Sequence, residues 1–257
     1  SMTFYASTQT AHGLRDGLAP NLGFEPENLR VIAPWVGGGF GPKAGLYIEY
    51  VLCGKAAQEL ARPVRWTEQR SENMVAMAQG RAMVMNAELG VNNDGSIVGL
   101  RARVVADAGA YPALGAILPM LTMQLSQAVY DIPAIDFFAQ SVVTNTTFIG
   151  PYRGAGRPEA TQMVERILDK AAHSIGMDPA ELRRKNYIQP DAFPLTTLVG
   201  SNYDSGEYER ALDAVLEASG YAELRAEQAR RREADDQILL GIGVSSYVEV
   251  TAPIGLH

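Results

Sequence analysis

The segment Asn92-Asn-Asp-Gly95 lies between two runs of alternating apolar and polar residues, Arg81 to Val91 and Ile97 to Ala106. Asn and Asp followed by Gly reach the positive φ values that a tight strand reversal needs, so the segment predicts a hairpin with two antiparallel neighbours. A chain with that hairpin departs from the regular strand-helix alternation of a doubly wound parallel sheet. Periodic helices accompany it, so the expected fold class is α+β, with mixed and antiparallel sheets and packed helices.

Before the hairpin, a short helix is expected from His12 to Leu22, then an extended run from Leu29 to Pro34 and the loop Trp35-Val-Gly-Gly-Gly-Phe-Gly-Pro42. A helix from Lys43 to about Ala61 follows, stopped by Pro63, and Gly54 inside it implies a close packing neighbour. Val64 to Thr67 and Ile135 to Asn145 have strand character. After the loop Ile149 to Pro158, Ala160, Met163, Val164, Ile167, Leu168, Ala171, Ala172 and Ile175 recur at helical spacing up to Gly176. Asp178-Pro-Ala-Glu181 then supplies an N-cap, a first-turn proline and an early acid for a helix over 178–186. Residues 206–236 look helical and increasingly charged, a solvated face, and Ile238 to Val250 returns to strand.

With 257 residues, 47% of them hydrophobic and 20% charged, the chain has what a buried core requires. No apolar run is long enough for a membrane span, and Ser1-Met2-Thr3-Phe4 resembles no export signal, so a cytoplasmic protein without membrane contact is expected. A net charge of −7 argues against a nucleic-acid partner. The single Cys53 excludes an internal disulfide or a multi-cysteine cluster, and His12, His173 and His257 lack ligand-like spacing. No directly protein-ligated metal is expected.

Three readings fit Gly37 to Gly41. The loop is a tight turn packing a helix on a strand, or an anion cradle at a helix N-terminus. Alternatively, Gly39-Phe-Gly41-Pro-Lys-Ala44 is a dinucleotide loop, with Glu68 as the ribose acid. Against the last, Pro42 and Lys43 stand where the helix should meet a pyrophosphate. A Walker loop fails, because Ala44 follows Lys43 where Ser or Thr is needed. In the second loop, Arg153 and Arg157 flank Gly-Ala-Gly and offer two guanidinium groups to an anionic or carbonyl ligand. That loop also reads as an ordinary surface turn, and Gln9 alone as an edge residue.

Taken in order, Ser7-Thr-Gln-Thr10, Val36-Gly-Gly-Gly-Phe-Gly-Pro-Lys43, Asp107-Ala-Gly-Ala-Tyr111, Tyr152-Arg-Gly-Ala-Gly-Arg-Pro-Glu159 and Asp178-Pro-Ala-Glu-Leu-Arg-Arg-Lys-Asn186 resemble a known family. It is the molybdenum-cofactor (large) subunit family of xanthine dehydrogenase, aldehyde oxidase and carbon monoxide dehydrogenase. Tyr203-Asp-Ser-Gly206 and Gly241-Ile-Gly-Val-Ser-Ser-Tyr-Val-Glu249 add to the likeness. The resemblance implies the central fragment of a much longer oxidoreductase subunit that hydroxylates an aldehyde or aromatic heterocycle with water as oxygen source. It implies bound molybdopterin carrying molybdenum, taken as the cytosine dinucleotide form, with iron–sulfur and FAD subunits or domains as partners. Residues 3–158 are then the first part of the molybdopterin-binding domain with both glycine-rich loops, 159–237 a helical segment, and 238–257 a strand leading into a second cofactor domain.

By the same resemblance, Gln9 hydrogen-bonds an oxo ligand of the metal, and the backbone of Gly38, Gly39, Phe40 and Gly41 lies beside it. Arg153 and Gly154 belong to the cofactor loop, while Ala44 and Ala155 face the substrate pocket. The family's general base is a glutamate in Gly-x-Gly-Glu, which this chain lacks, so no catalytic residue is assigned here. The isolated chain is therefore expected to be inactive and cofactor-free. Ala44 stands where purine-oxidising members carry glutamate, and the second loop lacks the cysteine that binds copper in carbon monoxide enzymes. Both departures point away from those substrates, and Pro42 replaces a usual glycine. A Rossmann-like module and a non-catalytic scaffold domain are the alternative functions.

Overall fold

A computed structural model describes residues 1–250. The chain divides into two compact units. The first comprises Ser1–Ala82, Asp107–Leu118 and Ser141–Ala155, and the second Met83–Ala106, Pro119–Gln140 and the chain from Gly156 onward.

In the first unit β1 (Met2–Tyr5) pairs in parallel with β2 (Leu29–Ile32), Met2 lying opposite Leu29. The connection is α1 (Ala11–Leu22), which stops where Gly23 turns left-handed at φ 74°. Leu14, Leu18, Ala19 and Leu22 of α1 bury against Ala6 and Leu29, and each fully buried leucine contributes about 1.5–3 kcal/mol. α2 (Ile48–Leu60) begins five residues later than the expected Lys43. Pro42–Ala44 form only a short 3-10 turn, and Gly45 is extended, so the glycine loop does not open a helix. Gly54 does have the expected neighbour: a Cβ there would lie 2.7 Å from the Leu22 methyls. α3 (Arg70–Ala76) was not expected, although Gln69 and Glu72 form a capping box at its start. Val64–Thr67, expected as a strand, joins no ladder. Its local alternation is compatible with a strand, but a strand requires a paired neighbour.

The predicted hairpin is present. β3 (Met83–Val91) runs antiparallel to β4 (Ile97–Asp107), Met83 facing Ala106 and Val91 facing Ile97. Gly95 has φ 87°, and Ser96 donates from its amide and hydroxyl to Asp94 at 3.0 and 2.7 Å. After α4 (Leu118–Gln124), β5 (Ile135–Val142) completes a sheet of order β3-β4-β5. α5 (Arg157–Ile175) ends at Gly176 with φ 68°, and α6 (Pro179–Asn186) is capped by Asp178, which accepts the Ala180 amide at 2.8 Å. The two-residue strands β6 (Leu195–Thr196) and β7 (Asn202–Tyr203) pair before α7 (Tyr208–Ser219). Gly220, at φ 62°, divides the expected 206–236 helix into α7 and α8 (Tyr221–Glu233).

Leu100, Ala102, Val129, Ile132, Leu168 and Leu182 belong to the second unit's core. Within it the Arg183 side chain is fully buried, bonding Glu165 and Asp169 at 2.8 Å each, while Tyr130 donates to Glu165 at 2.6 Å. Burial raises the pKa of Tyr130 and of Glu165, with Arg183 opposing both shifts. Ile238–Val250, expected as strand, forms none; the Ser246 amide instead donates to Glu165 at 3.1 Å, a side-chain anchor in place of a ladder. Residues 251–257 of the expected terminal strand lie outside the described residues, as does His257. Among the described residues no helix is long and apolar enough to cross a membrane.

Candidate functional site

Leaving β1, residues 7–10 are stitched to the glycine loop. Thr8 Oγ1 and the Gln9 amide both donate to the Lys43 carbonyl, at 3.2 and 3.0 Å, and Thr10 Oγ1 donates to the Ala44 carbonyl at 3.1 Å. From the other side, Lys43 Nζ donates to the Val36 carbonyl at 2.6 Å and to Ser7 Oγ at 2.9 Å, closing the loop base. Lys43, which the sequence already sets apart from a Walker lysine, is thus engaged with its own loop.

That frame sets Gln9 over the loop, where its Oε1 accepts the Gly41 amide at 2.8 Å. The bond fixes which end of the side-chain amide is oxygen and leaves the exposed Nε2 as a donor pointing elsewhere. The glycines are spatially required. A Cβ on Gly39 would sit 2.5 Å from Gln9 side-chain atoms, and one on Gly41 would sit 2.3 Å from the Pro151 carbonyl oxygen. Gly41 also has φ 103°, and Phe40, unusually for a bulky residue, has φ 54° with its ring exposed. Gly38 faces that ring, with 2.3 Å to its nearest atom from a would-be Cβ.

The second loop meets the first at Phe40. The Arg153 amide donates to the Phe40 carbonyl at 2.9 Å, and the Arg153 guanidinium lies 5.9 Å from the Phe40 ring centroid. Gly154 and Ala155 follow at φ 90° and 42°, with the Ala155 amide returned to the Tyr152 carbonyl at 2.8 Å. No carboxylate among the described residues pairs with Arg153. The expectation of two available guanidinium groups is corrected, because Arg157 heads α5 in the second unit and ion-pairs with Glu249 there.

The structure therefore brings Gln9, Gly38, Gly39, Phe40, Gly41, Arg153, Gly154 and Ala155 onto one unit, linked through Phe40–Gly41. Ala44 is adjacent in chain and half-buried, with its carbonyl held by Thr10. The Asp107 motif serves a neighbouring loop: its carboxylate takes the Gly109 amide and the hydroxyls of Thr144 and Thr146, at 2.7, 2.7 and 3.0 Å. These donors, the Gly109 amide first, hold its pKa below the ordinary value. A separate cleft of about 880 Å³ lies between β1, α2 and residues 62–68, with Cys53 among its lining. Sequence reasoning missed Arg81, which donates to the Arg153 carbonyl; nothing local marks it, since its partner is 72 residues away.

These donors fit a cofactor bearing oxygen ligands, through the oriented Gln9 Nε2, and the loop glycines fit close backbone approach. They do not fit a dinucleotide held at a helix N-terminus, because α2 starts at Ile48.

Residues 1–187 match the family model described as the molybdopterin cofactor-binding domain. The chain is 40% identical over 254 residues to the carbon monoxide dehydrogenase large chain of Hydrogenophaga pseudoflava, covering 97% of this chain and 32% of that protein. It is 33% identical over 252 residues to the nicotine 6-hydroxylase large subunit of Paenarthrobacter nicotinovorans, covering 96% and 30%. The fold superposes on quinoline 2-oxidoreductase from Pseudomonas putida 86 with a TM-score of 0.86 and 30% identity, covering 90% of this chain and 30% of that one. The chain thus spans about a third of the length of these relatives.

Proposed function

Since the chain belongs to the molybdopterin cofactor-binding domain family, we propose that it is the cofactor-holding part of a molybdenum hydroxylase large subunit acting on an aldehyde or aromatic heterocycle. The observation that carries the site assignment is the 2.8 Å bond from the Gly41 amide to Gln9 Oε1. It anchors the acceptor end of the amide, so that Nε2 would be the donor to an oxo ligand of the metal.

When bound, the molybdenum-pterin group supplies two-electron oxidation chemistry with water as oxygen source. The chain's residues then orient and bind. The backbone of Gly38 to Gly41 would hold the group closely, since Cβ atoms at Gly38, Gly39 and Gly41 have no room. Gly154 lets the second loop approach closely, and Arg153, with its guanidinium near the exposed Phe40 ring, offers positive charge to a carbonyl or anionic substrate. Ala44 and Ala155 keep the substrate side small and free of acids, which suits an aldehyde or heterocycle better than a purine. Cys53 lies on α2, not in the second loop, so a copper–thiolate site for carbon monoxide oxidation is not supported.

No glutamate here stands in Gly-x-Gly-Glu, so no general base is assigned to this chain. The isolated chain is expected to be inactive and cofactor-free. The cytosine dinucleotide form of the pterin, iron–sulfur and FAD subunits as electron-transfer partners, and a cytoplasmic location complete the proposal; likeness to relatives named as large chains or large subunits supports multi-subunit assembly. The test is to purify the complete native protein and measure molybdenum and pterin alongside aldehyde and N-heterocycle oxidation. Stoichiometric molybdenum with turnover supports the reading, and an active preparation free of both molybdenum and pterin overturns it.

A further inference from the structure

The geometry points to Arg81 as the positioning residue that holds the second loop against Phe40, a role resting on the cofactor-site reading above. Arg81 is a non-glycine residue at φ 62°, a conformation maintained only where surrounding contacts favour it. Two contacts of its guanidinium bear on the second loop. One nitrogen donates to the Arg153 carbonyl, and Cζ lies 4.8 Å from the Tyr152 ring centroid.

The preceding backbone is built to deliver it. Gln79 bridges in parallel to Ile149, its amide donating to the Phe148 carbonyl at 3.1 Å and its carbonyl taking the Gly150 amide at 2.9 Å. A Cβ on Gly80 would lie 2.6 Å from Tyr152 Cβ, so these segments run flush up to the arginine. The grip falls where the second loop most needs it. The Arg153 carbonyl immediately precedes the positive-φ residues Gly154 and Ala155, and the same residue's amide is the bond to the Phe40 carbonyl. One cation therefore holds the carbonyl of the same residue whose amide joins the two glycine-rich loops. Lysine would keep the charge but lose the planar fork that serves ring and carbonyl together.

The experiment uses the complete protein in parent, Arg81→Ala, Arg81→Lys and Tyr152→Leu forms. Hydrogen exchange of the Arg153 amide should accelerate about tenfold in Arg81→Ala and by less in Arg81→Lys and Tyr152→Leu, as expected for losing a charge-assisted bond that closes a local structure. Exchange in α7, far along the chain from both Arg81 and the loop, should not change. In the molybdenum-loaded protein, the Mo(V) resonance should broaden or shift in Arg81→Ala, with kcat reduced more than KM. Partial recovery of both in Arg81→Lys supports positioning over general folding damage. Parental Arg153 exchange and an unchanged resonance in Arg81→Ala overturn the proposal. Should Arg81→Ala fail to fold, Tyr152→Leu and Arg81→Lys decide it, and parental exchange in both overturns it. A parent protein without molybdenum refutes the cofactor reading instead, and the exchange result still decides Arg81.

Discussion

Gln9 Oε1 accepts the Gly41 amide at 2.8 Å, across 32 residues of sequence. The bond couples a residue just after a strand to the most spatially restricted glycine of the first loop. It also divides the side chain by role: the oxygen is taken by the protein, and the nitrogen is left as the donor that the proposed role requires.

Gln9→Glu separates those roles, because a carboxylate still accepts the Gly41 amide but donates nothing. In the complete enzyme kcat/KM should fall about tenfold or more, the loss expected for one hydrogen bond to a charged partner, while the melting temperature stays near parental. Steady-state kinetics with a thermal melt measure both. Parental turnover in Gln9→Glu would remove the donor role.

Gly41→Ala and Gly37→Ala should differ. Both positions have positive φ, but Gly37 faces open space, whereas a methyl at Gly41 meets the Pro151 carbonyl oxygen at 2.3 Å. Gly37→Ala should cost about 1–2 kcal/mol from its left-handed backbone alone. Gly41→Ala should add overpacking of about 1–3 kcal/mol and lower the molybdenum content of the purified protein. Equal stability and equal metal content in the two variants would contradict this.

Arg183→Ala leaves Glu165 buried beside Tyr130 without its cation. The expected destabilisation is about 3–5 kcal/mol, read from urea unfolding of the complete protein. Tyr130→Phe removes one bond to the same carboxylate and should cost about 1–3 kcal/mol. A smaller loss for Arg183→Ala than for Tyr130→Phe would show that the cation is not central to this network.

Asp94 in the hairpin loop is held at about 2, against an ordinary 3.8, first by the Ser96 hydroxyl and then by its amide. The sign follows from linkage: a depressed carboxylate pKa stabilises the folded form above pH 3.8, and that contribution is lost as pH falls from about 3.8 to about 2. Side-chain carboxyl NMR should show the low titration, and Ser96→Ala should move it upward. An Asp94 that titrates alike in parent and Ser96→Ala would refute the assigned cause.

What was legible in the sequence was what short-range spacing determines. Asn92–Gly95 marked its hairpin and Gly176 its helix stop, because turn chemistry and helical period are local properties. Val64–Thr67 shows the limit: alternation describes a strand's faces but does not supply a neighbour. The late start of α2 depended on an extended Gly45, and the α7/α8 break on Gly220 adopting φ 62° within a charged run otherwise helical in character. At the site, ordered motifs marked both glycine-rich loops. The contact joining them, and Arg81 behind it, arise from residues far apart in sequence and have no local signature.

The two compact units are interleaved, with the chain passing between them at 82/83, 106/107, 118/119, 140/141 and 155/156. For protein engineering, neither corresponds to a single uninterrupted stretch of gene. A terminal deletion series would remove parts of both before eliminating either, and so would not map the site. A graft of the first unit from a relative needs five coordinated crossovers of coding sequence, carrying the three segments 1–82, 107–118 and 141–155 together.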